Sequence, residues 1–203
     1  MRQRDKAILE DVERFRALDR NQIIAIHFQG LKNKVSSANA VLKRLRRDGL
    51  LEADTGRQPF VYFPSGSKIK KNGRKVDHYL AIADFYIDVR RAGALTTFQV
   101  EPKFGPKGTV EPDVFMIWRS SPFFVEIQRS VYSEKLIDDK LRRYEMYYRS
   151  QEWKRLPWQR KGREIFPIVW VVGRPFQRQN VPFRMYQSKN VADFLENIRM
   201  VMV

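Results

Sequence analysis

Features that define several common classes of enzyme and membrane protein are missing from this sequence. It has no cysteine, which excludes disulfides, thiolate metal sites and cysteine nucleophiles. Its two histidines, His27 and His78, are too few for a multi-histidine zinc site. It has no run of about 18 apolar residues, and its charged N-terminus lacks the apolar core of a signal peptide. We therefore expect a cytoplasmic protein with no membrane partner.

What the chain has in excess is positive charge. Lys and Arg number 39 against 23 Asp and Glu, which gives a formal net charge of +16 in 203 residues. Such an excess favours a polyanionic partner, of which double-stranded DNA is the simplest, although a soluble protein can also be merely basic. Hydrophobic residues make up 43% of the chain, enough for a sizeable core in one large domain or two small ones.

Two amphipathic helices are predicted at the start of the chain. Apolar residues recur at helical spacing over residues 6–17. Asp19 is a good N-cap for a second, shorter helix that reaches Phe28. The glycine that follows, Gly30, is expected to end it.

A third helix and a β-hairpin follow in the predicted order. Ser36 or Ser37 is expected to cap the helix at its start, and Gly49 to end it. Strands predicted at 50–53 and 60–63 flank a turn-rich loop with a basic tip. Three helices and then a hairpin is the order of a winged helix-turn-helix, whose third helix enters the DNA major groove.

Residues 1–66 are therefore predicted to form a winged-helix DNA-binding domain. Polar side chains near the start of the third helix would face base edges, whereas arginines on the helix and at the hairpin tip suit phosphates. The predicted base contacts are Ser36, Ser37, Asn39 and Lys43. The remaining predicted DNA contacts are Arg44, Arg46, Arg47 and Arg57. The alternative is a solvated basic helix face on a protein-interaction module.

A polar, glycine-containing segment at 67–74 is the predicted linker to a second domain, 75–203. That domain begins with a predicted helix over 75–91 that carries acidic residues near one face. They are Asp77, Asp84 and Asp88, with His78 beside them. Either Asp84 or His78 points at a metal site, or the stripe is simply solvated, as charged helix faces usually are.

The second domain is organised around a predicted hairpin. Apolar runs at 114–118 and 123–127 flank a turn at 119–122, so its open ends, at Asp113 and Glu126, should lie close together. Two carboxylates that converge at the end of apolar strands are costly unless a cation lies between them. Mg²⁺ prefers oxygen ligands of this kind. The sequence therefore predicts a magnesium site at this end of the hairpin.

Two further polar residues fall near that predicted site. Glu101 follows a predicted strand at 95–100 and is a third candidate metal ligand. Lys140 is a cation on the otherwise apolar face of a long helix predicted over 134–152, with Ser133 as its cap. Its ammonium group either reaches the carboxylates or extends to solvent.

The predicted order in this domain is helix, three strands, helix, strand, helix. The last strand, 165–172, is apolar throughout, as expected of a strand buried on both faces, and the final helix covers 191–202. An aromatic and basic loop at 153–166 would either stack on single-stranded nucleic acid or cover the sheet edge. We expect an α/β fold, α+β overall.

This order, with P-D at 112–113 and E-I-Q at 126–128, resembles the PD-(D/E)XK nuclease superfamily and its restriction-endonuclease-like αβββαβ core. The resemblance implies that Asp113 and Glu126 bind Mg²⁺ and take part in catalysis. Gln128 stands where the superfamily has a lysine that positions the attacking water. Some branches carry Gln there, and others move the lysine to the following helix. The candidates for a moved lysine are Lys140 and Lys135.

Six short motifs, taken in order, resemble the replication-relaxation family of plasmid and mobile-element proteins. Between residues 18 and 144 they are L-D-R-N-Q-I-I-A-I-H-F, V-L-K-R-L-R-R-D-G-L-L-E, V-Y-F-P-S-G, D-H-Y-L-A-I-A-D-F, V-E-I-Q-R-S and K-L-R-R-Y. This resemblance implies DNA binding linked to plasmid replication or transfer. It does not by itself imply cleavage.

Two functions are consistent with these observations. In the first, a DNA-binding protein has a nuclease-like domain that cleaves DNA phosphodiesters with Mg²⁺. In the second, a non-catalytic regulator uses that domain for DNA binding or for dimerisation, which would make the protein a homodimer. A third class, a protein–protein adaptor, would show no DNA binding. Gln128 in place of lysine leaves the choice between the first two open.

Overall fold

The computed structural model describes residues 1–106, 108–129, 134–174 and 180–201. The architecture is mixed α/β, as predicted, with one three-stranded and one five-stranded sheet among these residues. The chain divides into two units, Met1–Ile87 and Asp88–Val203. The division falls inside a helix, α4 (Arg74–Ala92), so the segment 67–74 belongs to the first unit.

The first unit begins with two helices whose ends are set by local sequence. Helix α1 spans Gln3–Phe15 and buries residues at helical spacing, among them Ile8 and Val12. Helix α2 spans Arg20–His27, and Asp19 caps it as predicted. The carboxylate of Asp19 accepts a hydrogen bond from the backbone N–H of Gln22 at 2.8 Å, and the side chain of Gln22 accepts one from the backbone of Asp19 at 3.0 Å. This reciprocal pair satisfies two N–H groups at the helix start.

Helix α3 starts earlier than predicted. It spans Lys34–Arg47 with Asn33 at the N-cap, so Ser36 and Ser37 lie inside the first turn and the prediction that they cap the helix is wrong. The backbone N–H of Ser37 already donates to the carbonyl of Asn33 at 3.0 Å. The C-terminal end is as predicted, because Gly49 adopts a left-handed φ of 72° and allows the chain to turn back.

A small antiparallel sheet completes the first unit. Its strands are β1 (Leu18–Asp19), β2 (Leu51–Asp54) and β3 (Val61–Pro64), in the order β1-β3-β2. The sequence predicted β2 and β3 to within one residue but missed β1, because two residues carry no periodic pattern. In the register, Leu18 lies opposite Tyr62 and Asp19 opposite Val61.

The second unit is built on a five-stranded sheet in the order β4-β5-β6-β7-β8. The strands are β4 (Leu95–Val100), β5 (Val114–Trp118), β6 (Ser121–Gln128), β7 (Ile168–Gly173) and β8 (Met185–Ser188). The β4–β5 and β5–β6 pairs are antiparallel, whereas β7 pairs in parallel with both β6 and β8. The sequence missed β8, whose four residues follow no alternating pattern.

Helices lie on both faces of this sheet. Helix α5 (Glu134–Ser150) connects β6 to β7 and packs its buried side, including Tyr144 and Tyr147, against Phe115 and Phe124. Helix α6 (Val191–Val201) lies on the opposite face, where the rings of Phe194 and Trp170 stack 3.9 Å apart. The predicted cap of α5, Ser133, is outside the described residues. Among the described helices, none is both long and apolar enough to span a membrane.

The β5–β6 turn is shorter than predicted. Arg119 and Ser120 both have positive φ, 49° and 63°, and these two residues alone connect the strands. Positive φ at both central positions fits the twist of a two-residue hairpin. Ser121 and Pro122, predicted as turn residues, begin β6 instead. A proline is tolerated there because the β6–β7 ladder starts only at the next residue.

The aromatic loop after α5 is packed against the sheet. It begins with a short 3-10 helix, Glu152–Arg155, and Trp153 within it is buried. Phe166 packs on Phe124 with ring centroids 5.8 Å apart, and Trp158 packs on Phe115 at 5.3 Å. The loop therefore covers one face of the sheet rather than its edge, with Phe166 and Trp158 half-buried against the core.

Candidate functional sites

Asp113 and Glu126 come together at the end of the β5–β6 hairpin. The last pair in the ladder is Val114 opposite Val125, so Asp113 and Glu126 are the next residues along each strand. The side-chain oxygen Oδ2 of Asp113 accepts a hydrogen bond from the backbone N–H of Ile127 at 2.7 Å. This contact fixes the Asp113 carboxylate beside the backbone that carries Glu126.

Glu126 is buried, with 5% of its surface exposed, and is held from the side of α5. The hydroxyl of Tyr144 donates to its Oε1 at 2.7 Å, and the ammonium of Lys140 donates to its Oε2. Burial and the nearby Asp113 carboxylate raise the pKa of Glu126 to about 7, although Lys140 and Tyr144 oppose the shift. Burial, and then the neighbouring Glu126, also raise the pKa of Tyr144 well above its ordinary value.

Gln128 is a buried polar residue of this site, with 4% of its surface exposed. Among the residues that the structure describes, none donates a hydrogen bond to its side-chain oxygen Oε1. A small cavity of about 20 Å³ borders Gln128, Glu126 and Lys140. A space of that size holds a water molecule or a small ion. The strand end here is tight, because a Cβ on Gly173 would overlap the backbone carbonyl of Gln128.

Oxygen donors of this site fit a hard divalent cation in type. They are the carboxylates of Asp113 and Glu126 and the amide oxygen of Gln128. Glu101 is linked to Asp113 through the backbone, since its N–H donates to the Asp113 carbonyl at 2.8 Å. Within the described ranges, no group of three or more His, Cys, Asp or Glu side chains is arranged to hold a metal ion. The side chain of Lys135 lies outside them.

The predicted DNA contacts of the first unit fall into two groups. Helix α3 buries Ala38, Leu42 and Leu45 and turns its other side to solvent. The solvent-facing members of the predicted set are Ser36, Asn39, Lys43, Arg46 and Arg47, and Ser37 is half-buried. Arg47 pairs with the neighbouring Asp48 at 3.0 Å, but that pair is exposed and therefore weak.

Arg44 and Arg57 form the second group, because both are engaged within the unit. Arg44 donates to Oδ1 of Asp5 at 2.8 Å, and Asp5 is buried with 1% of its surface exposed. Burial alone would raise the pKa of Asp5, but the Arg44 guanidinium and the Arg2 backbone N–H hold it below its usual value. Arg57 donates to Asp77 at 2.6 Å. Sequence patterns gave no sign of either pair, because their members are distant in the chain.

The predicted acidic stripe on α4 also has partners in this unit. Asp84 accepts a hydrogen bond from the side chain of Gln22 at 2.7 Å, and Asp77 is the partner of Arg57. Gln22 donates as well to the backbone carbonyl of Leu80 at 2.8 Å. Asp77 and Asp84 thus help to hold α4 in place.

Next to the exposed side of α3 lies a groove with about 380 Å³ of open space. Lys43 and Arg46 line it from α3, Arg20 lines it from the start of α2, and Phe60 and Tyr62 line it from the hairpin. No local sequence signal marks Arg20, because it reaches this groove only through the pairing of β1 with β3.

Comparison with known protein families finds one match, the replication-relaxation family model, over residues 9–157. The chain belongs to the replication-relaxation family. No curated protein and no solved structure gives a significant match. The family links the chain to the replication or relaxation of plasmids or other mobile elements.

The replication-relaxation match contains both candidate sites. It extends beyond the 18–144 span of the sequence motifs and takes in α3, Asp113, Glu126 and Lys140. Strand β7 follows the matched range, although Gly173 at its end shapes the site beside Gln128.

Proposed function

We propose that this replication-relaxation protein binds double-stranded DNA through the exposed side of α3, with the first unit acting as a winged helix-turn-helix. The observation that carries the proposal is the composition of that side, where Lys43, Arg46 and Arg47 all face solvent while the opposite side is buried. The order of three helices and an antiparallel hairpin supports it, because α3 is then the element expected in the major groove.

The contacts within the first unit distinguish the residues that are available for DNA from those that stabilise the unit. Asn39 and Lys43 are the exposed side chains suited to base edges, and Arg46 and Arg47 suit phosphates. Arg44 and Arg57 instead hold the unit together through Asp5 and Asp77. DNA binding in this form fits a role in replication or relaxation of a mobile element.

The test is binding of a labelled duplex, measured by fluorescence anisotropy over a series of salt concentrations. The wild type should bind with an affinity that falls steeply as salt rises, because phosphate contacts release counterions. The double variant Lys43→Gln, Arg46→Gln should lose about tenfold or more. The exposed Lys6→Gln variant is the control for a lost charge. A wild-type protein that does not retain duplex DNA at low salt contradicts the proposal and favours a protein adaptor.

A second candidate function is Mg²⁺-dependent cleavage of DNA at the end of the β5–β6 hairpin. It is supported by the buried, unpartnered amide oxygen of Gln128 and by the pKa of about 7 for Glu126 beside Asp113. Asp113, Glu126 and the backbone carbonyl of Ile127 would hold the ion, with Lys140 balancing the charge of Glu126. When bound, such an ion activates water and neutralises charge on the phosphate.

The competing function for this site is structural. Lys140 and Tyr144 together already satisfy both oxygens of Glu126, and such a cluster could simply hold α5 to the sheet in a non-catalytic regulator. Incubation of supercoiled plasmid with Mg²⁺ or Mn²⁺ separates the two functions. Nicking by the wild type that is lost in Asp113→Asn and Glu126→Gln supports the enzyme, whereas equal behaviour of all three proteins removes it.

A further inference from the structure

The groove beside α3 contains aromatic residues that the proposed duplex contacts leave unused. Besides the cations Arg20, Lys43 and Arg46, it is lined by Phe60 and by Tyr62, which is largely buried. Two amide side chains, Asn39 and Gln58, complete the lining, and none of these residues is acidic. An aromatic wall, amides and clustered cations in one groove are the three elements of a nucleotide-binding site.

Sheet pairing fixes the groove in shape. The backbone N–H of Arg20 donates to the carbonyl of Phe60 at 3.0 Å, directly after the β1–β3 pair of Asp19 and Val61. Phe60 and Tyr62 are two residues apart on an extended chain, so their rings project to the same side. The backbone of Arg20 is thereby held beside Phe60, and its guanidinium donates to Oδ1 of Asn21 at 3.2 Å.

Two arginines converge on the same point of this groove. Burial raises the pKa of the Tyr62 hydroxyl, and the guanidinium groups of Arg46 and Arg20 both act to lower it. Both charges therefore lie within electrostatic range of one hydroxyl group. The acidic residue that precedes Arg20, Asp19, caps α2. Two cations that lie close together in a groove without acidic lining residues favour the binding of an anion between them.

We propose that this groove binds an unpaired nucleotide of DNA, with the base against Phe60 and the phosphate between Arg20 and Arg46. The proposal rests on the proposed DNA binding by α3 and adds the class of DNA: a duplex with a single-stranded extension or an extruded base. A closed duplex stacks its bases internally and would leave the ring of Phe60 without a base face to contact. The open volume of about 380 Å³ suits a ligand of nucleotide size.

The experiment compares a short blunt duplex with the same duplex carrying a single-stranded extension, by anisotropy with the full chain. The extension should raise wild-type affinity about tenfold, the effect of one stacked base. Phe60→Leu should abolish this preference with little change in blunt-duplex affinity, whereas Phe60→Tyr should keep it. Arg20→Gln should also lose the preference, and Lys6→Gln, a matched loss of one exposed charge, should retain it.

The outcomes separate this proposal from the one on which it rests. Equal wild-type affinity for the two DNAs overturns the nucleotide site and leaves duplex binding standing, whereas no binding of either DNA removes the proposed function itself. A preference that survives in both Phe60→Leu and Arg20→Gln also overturns the site. In competition at equal ionic strength, a deoxynucleoside monophosphate should displace the extended DNA more effectively than inorganic phosphate. Equal displacement by both contradicts a contact with the base.

Discussion

The hydroxyl of Tyr144 donates to Oε1 of Glu126 at 2.7 Å, and Lys140, one turn earlier on α5, donates to the other oxygen of the same carboxyl group. Positions four apart on a helix lie on one face, so α5 presents both donors to a single buried acid. The glutamate is therefore the point at which β6 and α5 are joined by polar contacts. Because burial raises the pKa of Glu126, the stability that this contact provides depends on pH.

We expect the second unit to lose stability as pH rises through the range in which Glu126 ionises. The folded-state pKa of about 7 lies above the ordinary value of 4.5, so the folded protein binds more protons between these values. The stabilisation that results is fully present below pH 4.5 and is lost as the pH rises through 7. The difference in unfolding free energy between wild type and Glu126→Gln should fall by about 3 kcal/mol at most over that window.

Urea unfolding followed by tryptophan fluorescence measures this difference in the right part of the chain. All four tryptophans, Trp118, Trp153, Trp158 and Trp170, belong to the second unit. The variant Glu196→Gln, at an exposed position on α6, is the control for loss of an ordinary carboxylate. A difference between wild type and Glu126→Gln that stays constant from pH 4.5 to pH 8 would contradict the raised pKa.

Gly173→Ala should strongly destabilise the second unit. Gly173 has a φ of 118°, and a Cβ there would overlap the backbone carbonyl of Gln128 in the neighbouring strand. Overpacking and the left-handed backbone together should cost about 3 kcal/mol. Gly162→Ala is the matched control, because its φ is also positive but its Cβ would meet open space, so about 1 kcal/mol is expected. Equal losses in the two variants, measured by urea unfolding, would show that the contact with Gln128 is unimportant.

Replacement by glutamine should lower stability at one of two adjacent residues of α3 and DNA affinity at the other. Arg44→Gln removes the partner of the buried Asp5 carboxylate and should lower unfolding stability by about 2 kcal/mol. Lys43→Gln, at an exposed position, should leave stability within about 0.5 kcal/mol and weaken DNA binding instead. Circular dichroism melts and duplex titrations on both variants make the comparison. Similar melting temperatures for the two would argue against a structural role for Arg44.

The two tryptophans of the aromatic loop should differ when replaced by phenylalanine. The indole N–H of Trp153 donates to the backbone carbonyl of Tyr148 at 3.0 Å, so Trp153→Phe should cost about 1 kcal/mol. The indole N–H of Trp158 is buried, and no residue within the described ranges accepts a hydrogen bond from it. Trp158→Phe keeps a ring against Phe115 and removes that unsatisfied donor, so it should be neutral or slightly stabilising. Urea midpoints that fall equally in both variants would contradict this assignment.

Elements with a strong local signal were predicted well. Asp19 caps α2 as expected, and β4 has the predicted bounds. The apolar run predicted as a strand over 165–172 forms a strand paired on both sides, but that strand begins three residues later, at Ile168. Caps, glycines and apolar periods act over a few residues, so the sequence is sufficient to place them. The same rules misplaced the start of α3, because serines are common both at N-caps and inside first turns.

The candidate sites depended on longer-range information. The hairpin pattern led directly to Asp113 and Glu126, since an antiparallel pair brings its two open ends together whatever surrounds it. The partners of Arg44 and Arg57 lie 39 and 20 residues away in the chain, and no spacing rule links them. Two predicted DNA contacts thus have partners within the fold, and no sequence pattern placed Arg20 in the groove beside α3.

By itself, the sequence determined the excess of positive charge, the absence of thiol chemistry, the mixed α/β content and the two carboxylates at the end of one hairpin. Composition and short-range patterns are sufficient for these. Only the tertiary structure decided that Lys140 and Tyr144 hold Glu126, that Gln128 keeps an unpartnered oxygen, and that Arg20 joins Arg46 beside Phe60. Burial and pairing between distant segments set these contacts, and neither is encoded in the order of neighbouring residues.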